Sequence, residues 1–123
     1  MTGKAEKAIE NHKSFYPCSA AVLCAFADDA GLSEAEAKAA AMPFAGGRMG
    51  KCGAVLAAEY VLKKKFPDSA DEKAEQFDKE FQEMNKSLMC RELKGALTGQ
   101  PLRSCRGCVT DAAEILERMC SEK

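Results

Sequence analysis

The chain has 123 residues, enough for one domain with a real apolar core and no dependence on disulfide staples. Its 18 Lys and Arg against 19 Asp and Glu give a net charge of -1, with no basic stripe for nucleic acid and no acidic tail for a basic partner. No apolar run approaches the length of a membrane span and Met1-Thr2-Gly3-Lys4-Ala5-Glu6 carries no apolar signal core, so no membrane association and a cytoplasmic location are expected.

No stretch alternates apolar and polar residues with the period of a strand. The expected fold is therefore all-α, one compact domain over residues 1–123 built of about five to seven short helices. The first spans Lys4 to Lys13 with Ala5, Ala8, Ile9 and His12 on one stripe, and residues 1–14 are expected at the periphery. His12, the single histidine, reads as a core-edge residue rather than a ligand. Pro17 suits the first position of a second helix, Cys18 to about Ala30, ended by Gly31. Ala20, Ala21, Val22, Leu23, Phe26 and Ala27 make it apolar over most of its circumference, which places it centrally. Ser33 and Glu36 form a capping box that opens a third helix, halted before Pro43.

A glycine loop follows, with Gly46, Gly47 and Gly50 ahead of Cys52 and Gly53. It leads into a helix of small apolar residues from Lys51 to about Lys65, closed by Pro67. Ser69 begins a charged outer helix whose inner face carries Ala70, Ala74, Phe77, Phe81, Met84 and Leu88. A short helical turn, Cys90-Arg91-Glu92-Leu93, ends at Gly95, and a loop with Gly99 and Pro101 precedes the last helix. That helix runs from about Cys105 to Met119 and buries Val109, Ala112, Ala113, Leu116 and Met119.

Seven cysteines need a reason in a reducing compartment, and metal or redox chemistry is the reading that fits. Four of them share one local setting. Cys18, Cys52, Cys90 and Cys105 each stand at a helix start, where unpaired N–H groups and the helix dipole favour thiolate over thiol. Arg48 and Lys51 add positive charge at Cys52, so this thiol is expected to ionise readily. The glycines Gly46, Gly47, Gly50 and Gly53 would let backbone N–H groups face a bound anionic group. If the four helix starts converge, they make a redox pocket or a thiolate site for a metal or cluster.

Cys105-Arg106-Gly107-Cys108 is a Cys-x-x-Cys, a spacing that serves a dithiol–disulfide pair or two metal ligands. Neither a βαβ context nor a second close pair accompanies it, so thioredoxin and zinc-ribbon readings are set aside. Cys24, in the middle of the apolar helix, and Cys120, beside the last buried stripe, read as packed and inert. Gly46 to Cys52 is one residue short of a P-loop and has Cys52 where that motif needs Ser or Thr. Glu59, two turns after Cys52, is expected to be an exposed helical glutamate, the alternative being a proton relay to the thiol.

Taken in order, Cys18-Ser19-Ala20-Ala21-Val22-Leu23, the glycine loop with Cys52-Gly53-Ala54-Val55, Cys90-Arg91-Glu92-Leu93, and Cys105 with Val109 and Asp111-Ala112-Ala113-Glu114-Ile115-Leu116 form a set. Together they resemble the redox-active family named for its C…GCAxxG…C…C pattern, over about residues 15 to 118. That family is similar to a domain of split-Soret cytochromes in which a cysteine pocket is linked to an iron–sulfur cluster. The resemblance implies Cys18, Cys52, Cys90 and Cys105 as the shared set, with Cys24, Cys108 and Cys120 outside it. No Cys-x-x-Cys-His occurs, so no haem is implied. Gly53 follows the cysteine instead of preceding it, and Ala57 replaces the usual closing glycine.

Three functions follow as expectations. In the first, Cys18, Cys52, Cys90 and Cys105 hold an iron–sulfur cluster or cycle between dithiol and disulfide, with Cys108 as an available Cys-x-x-Cys partner. The protein would then be an oxidoreductase or electron-transfer component with an unidentified redox partner protein. In the second, the same four sulfurs close a structural zinc site. In the third, the chain is a plain helical interaction module. Homodimerisation through an exposed apolar face is compatible with each.

Overall fold

The apolar run Ser19 to Cys24 is buried along its whole length, and the other helices are arranged around it. The structure, a computed structural model, describes residues 3–14, 16–43, 52–85, 88, 93 and 105–121. Seven α-helices lie in this part: α1 (Gly3–Lys13), α2 (Cys18–Ala25), α3 (Ala27–Ala30), α4 (Glu34–Ala41), α5 (Gly53–Lys65), α6 (Ala70–Asn85) and α7 (Cys105–Ser121). A 3-10 turn, Pro67–Ser69, joins α5 to α6, and there is no strand among the described residues. The fold is all-α, as the missing strand periodicity requires.

Helix α2 packs against α1, α4, α5 and α7, while α5 also meets α3, α6 and α7. Val22, Leu23, Phe26, Val55, Val61, Leu62, Phe77, Phe81, Val109, Leu116 and Met119 form the fully buried centre. Each such side chain contributes about 1.5–3 kcal/mol by leaving water. Small residues govern how closely the helices approach. Ala54, Ala57 and Ala58 on α5 and Ala112 and Ala113 on α7 are completely buried, which leaves room for these helices to sit close together.

Local sequence signals set most helix ends. Ser33 Oγ accepts from the Glu36 amide at 3.2 Å, and Glu36 Oε1 accepts from the Ser33 amide at 2.9 Å, which completes the capping box. Gly31 adopts φ 73, and the chain closes α3 with Gly31 N–H to Asp28 and Leu32 N–H to Ala27 carbonyls at 3.1 and 2.9 Å. This left-handed cap is a conformation that glycine adopts without strain. Lys63, Lys64 and Lys65 occupy the last turn of α5, where the helix dipole favours cations.

Four expectations are corrected. The second helix does not run unbroken to Ala30. It breaks at Phe26 (φ -110, ψ 21), whose N–H is shared between the Val22 and Leu23 carbonyls, both at 3.2 Å, while its ring is wholly buried. The N-terminal helix is not peripheral: Ala5 and Ala8 have no exposure, and the Ala5 amide donates to Glu117 of α7 at 2.9 Å. Met84 is 53% exposed, while Phe77, Phe81 and Asn85 of the same helix are buried. Glu59 is buried, not exposed.

Two polar pins lock α2 in place. Ser19 Oγ donates to the Ala41 carbonyl at the end of α4 at 2.9 Å, and Asn11 of α1 donates to the Ala21 carbonyl at 3.2 Å. A third device draws on three helices. The Asp29 carboxylate, only 6% exposed, binds the ammonium groups of Lys4 on α1 and Lys65 on α5.

Candidate functional site

Three sulfurs from three helices meet where α2, α5 and α7 pack together. Cys18 is the first residue of α2, directly after Pro17, and is half-buried. Cys52 is the residue before the first turn of α5 and is buried. Cys108 lies one turn into α7 and is 2% exposed. The Cys52 thiol is hydrogen-bonded with both Cys108 and Cys18. The five cysteines whose side chains are described, Cys18, Cys24, Cys52, Cys108 and Cys120, are all free thiols.

The backbone fixes Cys52 from two directions. Its carbonyl accepts from the Leu56 amide at 3.0 Å, which starts α5, and its own N–H donates to the Leu88 carbonyl at 2.8 Å. The second bond ties the helix start to a segment far along the chain. Gly53, Ala54 and Val55 follow and are buried, so the sulfur is shielded by packed helix.

The proton affinity of Cys52 departs from expectation. Its pKa is pushed up to about 12, first by the hydrogen bond with Cys108, which holds the proton on Cys52. Burial and the negative charge that Cys108 carries when ionised add to this. Donation from Cys18 and the Ala54 amide pull the other way, although no capping hydrogen bond to the sulfur is completed. Its sulfur neighbours and burial thus favour the protonated thiol at Cys52, against the easily ionised one expected from the helix start. Arg48 and Lys51 lie outside the described residues.

Cys24 and Cys120 behave as packed thiols. Burial pushes the Cys24 thiol up and the Glu34 charge adds to it, while its sulfur contacts the Glu34 carbonyl at 3.8 Å. Burial, then the Asp29 carboxylate, raises Cys120 to about 11, against the pull of Lys65 and Lys4. Neither belongs to the sulfur group around Cys52.

Of the four helix-start cysteines, Cys18 and Cys52 are brought together. Cys90 lies outside the described residues, and so does the side chain of Cys105, whose backbone begins α7. Gly46, Gly47 and Gly50 also lie outside them, while Gly53 is the buried first residue of α5. Among the described residues, no group of three or more His, Cys, Asp or Glu is spaced to hold a metal ion. The sulfur contacts run pairwise through Cys52.

The direct partner that sequence reasoning ranked too low is Cys108. A signal was present. Cys108 stands four residues before Ala112, so it extends the buried stripe of α7 by one turn toward the sulfur site. His12 is half-buried on α1.

An all-helical body in which free thiols from three helices come together defines a thiol-rich helical protein. A family profile described as "Putative redox-active protein (C_GCAxxG_C_C)" matches residues 16–119, most of the chain. The chain belongs to this family, and membership assigns it a redox role in general terms. No curated protein and no solved structure matches the chain. No helix among the described residues is long and apolar enough to cross a membrane.

Proposed function

We propose that the protein is a dithiol/disulfide electron carrier in which Cys52 is the central sulfur. The observation that carries this reading is the hydrogen-bonded contact of the Cys52 thiol with two further free thiols, Cys108 and Cys18. Two thiols in contact need little movement to close a disulfide. Closure of Cys52 with Cys108 forms one S–S bond, breaks two S–H bonds, and releases two protons and two electrons. A disulfide on a reaction partner takes both and leaves as two thiols. The packed helices bury Cys52 and Cys108 and limit the access of other oxidants to them, so this pair is poised for exchange and not for over-oxidation.

The test is a thiol titration and peptide map of the reduced protein before and after equilibration with oxidised glutathione. Loss of two thiols into a disulfide that includes Cys52 supports the reading. Oxidation that leaves Cys52 free overturns it.

A second reading assigns Cys18, Cys52, Cys90 and Cys105 to an iron–sulfur cluster, with a zinc ion as the alternative occupant. Two observations favour it. The Cys52-to-Leu88 hydrogen bond carries the chain past the Cys52 helix start two residues before Cys90. Cys105 heads the same helix that presents Cys108, one turn earlier. Four thiols are the donor set that clusters and tetrahedral zinc use, and the cluster would supply one-electron chemistry. Anaerobic purification followed by iron, sulfide and zinc analysis separates these occupants from the dithiol couple. Under either reading the protein serves a redox partner in the cytoplasm.

A further inference from the structure

We infer that Cys18 is the entry sulfur of this site: a disulfide co-reactant is attacked by Cys18, and the oxidising equivalent is then passed through Cys52 to Cys108. This rests on the dithiol reading above and adds which sulfur meets the partner and in what order the others follow.

The argument starts from access. Thiol–disulfide exchange requires the attacking sulfur to approach a partner's S–S bond end-on, so the first sulfur must reach the surface. Cys52 and Cys108 are 5% and 2% exposed, and neither can be reached without opening the helices around it. Cys18 is half-buried, at the very start of α2, and follows an exposed proline. It is the member of the described trio that combines solvent access with contact to Cys52.

Connectivity gives the order. Cys52 touches both of the other sulfurs, so it is the common partner through which exchange passes. Its high proton affinity supports a relay role over first attack, since the thiolate is the nucleophile.

The steps balance. Cys18 attacks R–S–S–R, forming Cys18–S–S–R and releasing one R–SH, which carries off the Cys18 proton. Cys52 then attacks the Cys18 sulfur, forming the Cys18–Cys52 disulfide and releasing the second R–SH with the Cys52 proton. Cys108 attacks the Cys52 sulfur, the Cys52–Cys108 bond forms, and Cys18 leaves as a thiol with the proton from Cys108. Net, two protein thiols and one R–S–S–R become one protein disulfide and two R–SH. Reduction runs the same path backwards.

The experiment is rapid mixing of the reduced full chain with oxidised glutathione, acid quench, and mass mapping of each disulfide over time. In wild type, the Cys52–Cys108 disulfide is the expected end product. In Cys52→Ser, glutathione is expected to stay trapped on Cys18. In Cys108→Ser, the reaction is expected to stop at Cys18–Cys52. In Cys18→Ser, formation of Cys52–Cys108 is expected to slow by about tenfold or more, because the exposed attacker is gone. Cys24→Ser and Cys120→Ser are controls that should oxidise at the wild-type rate.

A Cys18→Ser protein that oxidises as fast as wild type overturns the inference, as does glutathione appearing first on Cys52 or Cys108. Either result leaves the dithiol function standing if the Cys52–Cys108 disulfide still forms. Wild-type protein that never forms a disulfide through Cys52 overturns the function and the entry role together.

Discussion

The Cys52 amide donates to the Leu88 carbonyl at 2.8 Å, joining the start of α5 to the chain segment beyond α6. This bond holds the central sulfur in register with α2 and α7, because it fixes the one residue at which α5 turns into the site. Leu88 is partly buried against the core, so its side chain keeps that carbonyl in place.

Leu88→Ala should therefore loosen the sulfur site as well as the fold. Removal of a half-buried leucine side chain costs about 1–2 kcal/mol, below the range for a fully buried one. Amide hydrogen exchange should show the Cys52 N–H losing protection by roughly tenfold, since 1.4 kcal/mol is one decade. Unchanged protection at Cys52 would show that the bond is held by something other than the Leu88 anchor.

Asp29 offers a test of the clamp between α1, α3 and α5. Burial of its carboxyl raises its pKa, but hydrogen bonds and charge from Lys4 and Lys65 outweigh this and leave it lowered. A carboxylate whose folded value is depressed contributes stability above its unfolded value of about 3.9, and that contribution is lost as pH falls through the folded value. Both lysines are partly exposed, 43% for Lys4 and 31% for Lys65, so solvent screening reduces the pair energies. Asp29→Asn should cost about 1–2 kcal/mol at neutral pH in a denaturant titration. Its deficit against wild type should shrink below about pH 4, where the wild-type carboxylate is protonated too.

The thiols predict an alkaline limit. Cys52 is raised to about 12 and Cys120 to about 11, so the folded chain keeps protons that the unfolded chain releases at about 8.5–9. Their contribution to stability is complete below the unfolded value and is lost as pH rises toward the folded ones. Lys65, raised chiefly by its hydrogen bond with Asp29, loses its share in the same direction as pH passes the unfolded lysine value of about 10.4. Denaturation midpoints measured from pH 8 to pH 11 should fall, and Cys120→Ala should fall less steeply, because one protonated thiol is removed from the balance. A slope equal to wild type would show that Cys120 does not retain its proton.

Ser33→Ala should remove the reciprocal cap of α4 and cost about 1 kcal/mol. The loss falls on a short helix whose buried residues are only Ala37 and Ala41, so α4 has little packing to offset it. Ser19 Oγ donates to the Ala41 carbonyl at the far end of this helix, which links α4 to the residue after Cys18. Circular dichroism with thermal melting reads both the helix content and the stability change. A melt identical to wild type would mean that α4 is held by that far end alone.

The amino-acid sequence by itself determined the all-helical class, the core stripe of α7 and most helix boundaries. Those features are local: a cap such as Ser33 with Glu36, a left-handed Gly31 or a stop at Pro67 acts within a turn or two of its own position. The same local view marked Cys18 and Cys52 as the sulfurs to watch. It could not show that Cys108, on the buried stripe of α7, touches Cys52, or that Glu59 is buried and the second helix breaks at Phe26. Only the tertiary structure decided which thiols touch, and with that the protonation of Cys52. A thiol's charge state depends on the dielectric and on the neighbours around it, and packing of α2, α5 and α7 draws those neighbours from distant parts of the chain.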